Sequence, residues 1–288
     1  MGQPEGSQDA GVCAVVVDYD AGVVLADCVA SLHDDGVDRV VVVENGGPDG
    51  ARTALEAAGL RAPVVATGRN LGYGAGANRG VAACGASDYV LVCNPDLVVF
   101  PGAVARLSAA LDAEPSWALV GPRITDADGS TYPSARRFPS MTDAAGHALL
   151  ALFKPDNRFS RRYRDAGGDR RSGADWVSGA CFLARRRAFE ELGGFDEGYF
   201  MFLEDTDLCW RAHRAGWGVG FEPAAVVAHT EGVSRSRHPY RMLMAHHRSA
   251  LRFANRTTEG WRRAALPLAA VVLGVRFVVA LADQAFRR

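Results

Sequence analysis

The stretch "VCAVVVDYDAGVVLADCVASLHDDGVDRVVVVEN" (residues 12–45) holds two apolar runs around a segment of different period. "VCAVVVDY" (12–19) and "DRVVVVEN" (38–45) are valine-rich and end in polar residues. Continuous apolar runs of this length suit parallel strands buried on both faces. Between them, Val24, Cys28, Val29 and Leu32 recur at helical spacing. Parallel strands need a crossover, and a helix of this length supplies it.

The alternation continues. "ARTALEAAG" reads as a helix stopped at Gly59, and "APVVATG" as a third strand. The glycine-rich "NLGYGAGANRG" (70–80) opens another helix, followed by a strand in "DYVLVCNPD" (88–96) and a helix in "GAVARLSAALDAE" (102–114). This order predicts the α/β class, with a Rossmann-like, mostly parallel sheet and helices on both faces. "WALVGPRI" is expected to be a strand, "DADG" a tight turn, and residues 133–172 an inserted helix and basic loop. "DWVSGACFLARRRAFEELGGF" reads as strand then helix, and "GWGVGFEPAAVVAHTEGVS" as a return to the sheet. A helix from about Pro239 to Asn255 follows.

Composition narrows the function classes. The 288 residues are 48% hydrophobic and 23% charged, enough apolar material for a large globular core. A net charge of −1 gives no global attraction to nucleic acid, although "RFSRRYRDAGGDRR" (158–171) is locally basic. The six cysteines form no C-x-x-C pair and mostly sit in apolar runs, so buried, reduced thiols of a cytosolic protein are expected. Residues 1–10 are polar and acidic, unlike a signal peptide, and are expected to be disordered.

In an open α/β sheet, ligands bind beyond the carboxyl ends of the strands. Asp18-Tyr19-Asp20, Glu44-Asn45, Arg69-Asn70 and Asn94-Pro95-Asp96 all fall there. Each alone is ordinary turn chemistry. Together they offer groups for a base, a ribose and a hard cation. The glycines at 72, 74, 76 and 80 do not match the dinucleotide fingerprint and follow the third strand, not the first. Such a turn can still admit a phosphate or sugar to backbone N–H groups. His229 ends the run "AAVVAH", and an imidazole with a carboxylate such as Asp96 can hold a divalent metal.

"FLEDTDLCWR" (202–211) crowds three carboxylates into four residues. Acids suit the first turn of a helix, with Asp205 or Thr206 as N-cap and a stop at Gly216. Arg211 can pair with Asp207 or reach Glu204, which leaves Asp205 free to act as a general base.

These blocks, with "VVVENGGPDG", "GGFDEGYFMFLEDTDLCWRAHRAGW" and "AHTEGVS", resemble family-2 glycosyltransferases of the GT-A fold over nearly the whole chain. The resemblance implies Asp205 as base, with Glu204 beside it. It implies Mg2+ or Mn2+ on Asp96 and His229, with Asn94 standing where the family's first metal-motif acid usually is. The nucleotide sugar would be contacted by Asp18, Tyr19, Glu44, Asn45, Asn70, Gly72, Gly74, Asn78, Asn94 and Asp96. Trp176, Ser178, Gly179, Asp207 and His247 would line the acceptor side. Residues 121–140 and "AHHRSALRFANR" (245–256) further resemble the family's actinobacterial rhamnosyltransferase branch. That implies dTDP-rhamnose as donor and a lipid-linked diphospho-sugar, N-acetylglucosaminyl-diphospho-polyprenol, as acceptor.

The implied organisation is a catalytic domain over 11–238, with a nucleotide-sugar half (11–120) and an acceptor half (121–238), then a helical segment at 239–288. "AALPLAAVVLGVRFVVALA" (264–282) has the length of a membrane span but contains Pro267 and Arg276. An interfacial helix flanked by Arg262, Arg263, Arg287 and Arg288 fits it better than a spanning one. The alternative is a helix packed on the catalytic domain. A cytoplasmic protein peripheral to the inner membrane face follows, and a homodimer is compatible with it. The competing readings are a galactofuranosyl- or other rhamnosyltransferase, a sugar nucleotidyltransferase, and a non-catalytic sugar or lipid-carrier binder.

Overall fold

Valine runs form the centre of the sheet, and polar residues take over where each strand leaves it. The computed structural model describes residues 11–47, 49–126, 129–138, 168–229 and 239–286. The N-terminal ten residues, most of the expected insertion (139–167), "TEGVS" (230–234) and Arg287–Arg288 lie outside the described residues.

The strands are β1 (Val12–Asp18), β2 (Arg39–Glu44), β3 (Val64–Ala66), β4 (Tyr89–Cys93), β5 (Leu97–Val99), β6 (Trp117–Asp126), β7 (Thr131–Tyr132), β8 (Ala135–Arg136), β9 (Ser172–Gly173), β10 (Trp176–Val177), β11 (Cys181–Arg185) and β12 (Gly218–His229). The helices are α1 (Val23–Asp34), α2 (Gly50–Ala57), α3 (Tyr73–Ala83), α4 (Ala103–Ala113), α5 (Arg186–Glu191), α6 (Glu204–Arg214), α7 (Pro239–Thr257) and α8 (Leu266–Phe286), with a 3-10 turn at Gly260–Ala265. The main sheet runs β3-β2-β1-β4-β11-β6-β12-β5.

Successive side chains of a strand face opposite ways, so β1 builds two cores at once. Ala14 and Val16 pack with Leu25, Leu32, Leu107 and Leu111 on one face. Cys13, Val15 and Val17 pack with Ala77, Val81, Phe182 and Leu208 on the other. Each fully buried aliphatic side chain contributes about 1.5–3 kcal/mol. α3 lies especially close to the sheet, because a Cβ at Gly80 would sit 2.2 Å from Val15 Cγ1.

β1 pairs in parallel with both β2 and β4. The chain steps outward to β3 and then returns to the other side of β1, so the switch point lies between the ends of β1 and β4. β11 runs antiparallel between β4 and β6. β12 shifts register between Glu222 and Val226, and its end then pairs with β5, His229 opposite Leu97. That pairing brings His229 next to the polar turn after β4.

Two expectations are corrected. Cys13 and Cys84 form a disulfide between β1 and the end of α3, whereas Cys28, Cys93, Cys181 and Cys209 are free and buried. The acidic helix α6 starts at Glu204 with Leu203 as its N-cap, so Asp205 and Thr206 lie inside its first turn. Its stop is at Gly216, with φ of +87° and its N–H donating to the His213 carbonyl.

Candidate active site

The ends of β1, β2 and β4 supply the floor of a cavity of about 370 Å3, which Tyr19, Asn45, Asn70, Asn94 and Asp96 help to line. Asn45 clamps the loop ahead of α3. Its Oδ1 accepts the Leu71 N–H at 2.9 Å, and its Nδ2 donates to the Gly72 carbonyl at 3.0 Å. Glu44 is not among the residues lining the cavity. Its two carboxylate oxygens accept the N–H groups of Asp49 (3.1 Å) and Ala51 (2.9 Å), ordering the entry to α2. Asp18 is buried and receives the Ala21 N–H at 3.1 Å. Burial pushes its pKa up to about 6, aided by the charges of Asp20 and Glu44.

The glycines expected to approach a phosphate are packing residues. A Cβ at Gly72 (φ +93°) would lie 2.2 Å from the Phe200 carbonyl oxygen, and one at Gly74 would lie 2.8 Å from Phe195 Cβ. Asn78 is likewise structural. Its amide donates to the Phe195 carbonyl and accepts the Phe195 N–H, both at 2.9 Å.

At the opposite side of the floor, His229 Nε2 lies 3.1 Å from Asp96 Oδ1 and 3.2 Å from the Asn94 amide nitrogen. His229 Nδ1 is buried with no hydrogen-bond partner among the described residues. A carboxylate, an imidazole and an amide that presents oxygen when turned over form a donor set suited to Mg2+ or Mn2+. Among the described residues no third His, Cys, Asp or Glu joins them. The rest of such a coordination sphere would come from substrate oxygens and water.

The catalytic candidates stand on α6 behind two residues with unusual backbone. Phe202 and Leu203 have φ of +69° and +65°. The left-handed region costs a bulky residue on the order of 1–2 kcal/mol. That cost turns the chain sharply enough for the first turn of α6 to face the cavity, which Glu204 and Asp205 both line. Asp205 Oδ2 accepts the Gly179 N–H at 2.8 Å, and Oδ1 accepts the Thr206 N–H at 2.7 Å. Glu204 has one buried oxygen, Oε2, without a partner among the described residues.

Burial and the neighbouring Asp205 charge push Glu204 up to about pH 8. Asp205 is also raised by burial, but the Gly179 and Thr206 N–H groups and the Arg136 charge pull it back. Two adjacent carboxyls share one negative charge more readily than two. The Gly179 and Thr206 N–H groups favour the charged form at Asp205 over Glu204.

Asp207 does not line the cavity. It is fully buried, holding Arg211 Nε at 2.7 Å, Arg256 Nε at 3.1 Å and the Tyr199 hydroxyl at 3.3 Å. Arg211 also donates to the Gly194 carbonyl at 2.7 Å, so this acid fastens α6 to the preceding loop. His247 is off the cavity too. One ring nitrogen donates to the Leu243 carbonyl at 2.8 Å, and its ring meets Phe277 edge-on.

Trp176, Ser178 and Gly179 do line the cavity, from β10 and the turn after it. Sequence reasoning missed Tyr73, Tyr132, Arg136 and His246, which line it as well. Arg136 lies over the rings of both Tyr132 (5.1 Å) and Trp176 (5.0 Å), giving the cavity a fixed cation. The "AHHRS" block did carry a signal for His246, one position before the residue singled out.

Residues 10–253 match the family model "Glycosyltransferase like family 2". The chain is 39% identical over 267 residues to the N-acetylglucosaminyl-diphospho-decaprenol L-rhamnosyltransferase of Mycobacterium tuberculosis, covering 88% of this chain and 86% of that one. It is 29% identical over 143 residues to Rhamnosyltransferase WbbL of Escherichia coli, covering 49% and 52%. Among solved structures, GalNAc-T7 with UDP, GalNAc and Mn2+ superposes with a TM-score of 0.58 at 15% identity, covering 78% of this chain and 44% of that one. TarS of S. aureus superposes at 0.54 and 14% identity, covering 92% and 71%. The fold is therefore GT-A, and the chain belongs to glycosyltransferase family 2.

Proposed function

We propose that this family-2 glycosyltransferase moves L-rhamnose from dTDP-rhamnose to N-acetylglucosaminyl-diphospho-polyprenol, with inversion at the anomeric carbon. The observation that carries the reading is the 39% identity, over 88% of the chain, to a transferase named for that acceptor and sugar. In this reading residues 11–120 hold the nucleotide sugar and 121–238 the acceptor. The acceptor hydroxyl lies against Asp205 and attacks the anomeric carbon, forming the new C–O bond. Asp205 takes the proton, and the bond from that carbon to the diphosphate oxygen breaks with its electron pair leaving on dTDP. Gly179 and Thr206 hold the carboxylate still while this happens. Asp96 and His229, with Asn94 beside them, would hold Mg2+ or Mn2+, which when bound neutralises charge on the departing diphosphate. Neutral Glu204 keeps a second charge away from Asp205.

A lipid-borne acceptor places the work at the cytoplasmic membrane face. Among the described residues no helix is long and apolar enough to cross a membrane. α8 instead exposes one apolar stripe, Leu268 (67%), Val271 (62%), Val275 (59%) and Val278 (63%), at helical spacing. Trp261 is 85% exposed ahead of it, beside Arg262 and Arg263. An apolar face with basic and aromatic flanks suits an interfacial helix.

The deciding experiment gives the purified enzyme dTDP-rhamnose, UDP-galactofuranose or UDP-glucose with a synthetic N-acetylglucosaminyl-diphospho-prenol. Faster transfer from either UDP sugar overturns the donor assignment. Transfer to water alone overturns the acceptor.

A further inference from the structure

A second cleft, of about 940 Å3, opens along α7 on the far side of the segment that carries Phe202 and Leu203. Arg241, Met244, Arg248 and Leu251 recur at three- and four-residue steps and so share one face of α7, and all are exposed. Arg263 from the 3-10 turn and Phe200 complete the lining relevant here. Asp196 is the acid at the cleft's margin, and it is already held by Arg252 (2.9 Å) and Arg256 (2.7 Å). Arg241, Arg248 and Arg263 have no hydrogen bond or ion pair to any described residue.

The cleft and the catalytic cavity back onto the same wall. Phe200 lines the cleft and Met201 the cavity, while on α7 Ala245 faces the cleft and His246 the cavity. Ser249 ties the two elements together, its hydroxyl donating to the Met201 carbonyl at 2.8 Å. Consecutive residues are only about 3.8 Å apart. The cleft and the cavity are thus lined by adjacent residues on both elements.

From this placement we infer that Arg241, Arg248 and Arg263 hold the diphosphate of the lipid-linked acceptor, with its prenyl chain against Phe200, Met244 and Leu251. Guanidinium groups bind phosphate oxygens in bidentate pairs. Exposed apolar side chains between them match a ligand that is anionic at one end and aliphatic at the other. The acceptor joins a sugar to a diphosphate and an aliphatic chain, and the cavity adjoins a cleft that offers both arginines and apolar side chains. The inference rests on the proposed lipid-diphosphate acceptor and assigns that acceptor's second binding site.

The test uses the full chain and the double variant Arg241→Gln/Arg248→Gln, with farnesyl diphosphate as a soluble probe in titration calorimetry. The parent is expected to bind it, with farnesol and inorganic pyrophosphate weaker. The double variant should lose about tenfold or more in affinity, since a hydrogen bond to a charged group carries about a decade in binding. The KM for the diphospho-prenol acceptor should rise by a similar factor, with transfer to an alkyl N-acetylglucosaminide lacking diphosphate unchanged. Unchanged probe affinity and acceptor KM overturn the inference while leaving the acceptor assignment standing. Failure of the parent to use any diphospho-prenol acceptor removes both. Loss of binding to phosphatidylglycerol vesicles with farnesyl diphosphate affinity retained assigns the arginines to bilayer headgroups and overturns it too.

Discussion

Asp205 Oδ2 accepts the backbone N–H of Gly179 at 2.8 Å, joining the acid on α6 to the turn after β10, 26 residues away. A Cβ on Gly179 would stand 3.0 Å from Asp205 Cβ and 3.3 Å from Oδ2. Gly179→Ala should therefore displace the carboxylate by a few tenths of an ångström. Its kcat should fall by about tenfold, because small misplacements of a catalytic group are costly, while dTDP affinity stays within a few-fold. Steady-state kinetics with a dTDP competition assay checks this. Parental kcat would show that the contact does not position the base.

Asp205→Asn keeps the shape and an acceptor for Gly179 but removes the proton acceptor. Transfer should drop by about 100- to 10,000-fold, with dTDP binding nearly unchanged. If the variant turns over at close to the parental rate, Glu204 becomes the residue to replace next.

Glu204 links pH to stability. Its folded pKa of about 8 lies above the ordinary glutamate value of 4.5. Between these values the folded chain keeps a proton that the unfolded chain releases, so stability falls as pH rises through this window. Glu204→Gln cannot lose that proton. Its Tm should fall less than the parent's from pH 5 to pH 8, with the two chains diverging most near pH 8. Parallel Tm profiles would refute the assignment.

The Asp96–His229 pair predicts a metal effect with two readouts. EDTA should abolish transfer, and Mn2+ or Mg2+ should restore it. Saturating Mn2+ with dTDP should also raise Tm, since ligands selective for the native state stabilise it by about 2.7 kcal/mol at 100 times Kd. Asp96→Ala and His229→Ala should lose most of the Mn2+-dependent part of that shift. Full turnover in chelator would refute a metal at this pair.

The stripe on α8 predicts that removing residues 261–288 releases the protein from anionic vesicles while sparing dTDP-sugar binding. Sedimentation with phosphatidylglycerol liposomes at low salt measures it. If the intact chain stays in the supernatant, α8 is not a membrane contact.

Much of this architecture was legible in sequence because it is coded locally. The valine runs of β1 and β2, the helical period of α1 and the stop at Gly216 depend on neighbours a few residues apart. So do the polar ends of β1, β2 and β4 and the acid pair at 204–205, which marked the cavity in outline. Local pattern did not show how strands from distant segments pair. β11 runs antiparallel inside a mostly parallel sheet, and β5 crosses to β12. Only that second pairing brings His229 within 3.1 Å of Asp96, 133 residues earlier.

The same division separates charges that act from charges that hold the fold. Sequence put Glu204, Asp205 and Asp207 together and allowed the Asp207–Arg211 pair through helical spacing. It held no trace of Arg256 arriving from α7 to close off Asp207, nor of Arg136 stacking between Tyr132 and Trp176 beside Asp205. It also gave Glu44 a binding role, although the loop ahead of α2 uses both of its oxygens. Hydrophobic period and turn chemistry act over one or two turns of chain, so the sequence by itself determined the longer elements and the class of sheet, but not the short strands β5, β7, β8 and β9. Burial and partners depend on which distant surfaces meet, so only the tertiary structure decided which carboxylate faces the cavity and which is locked in an ion pair.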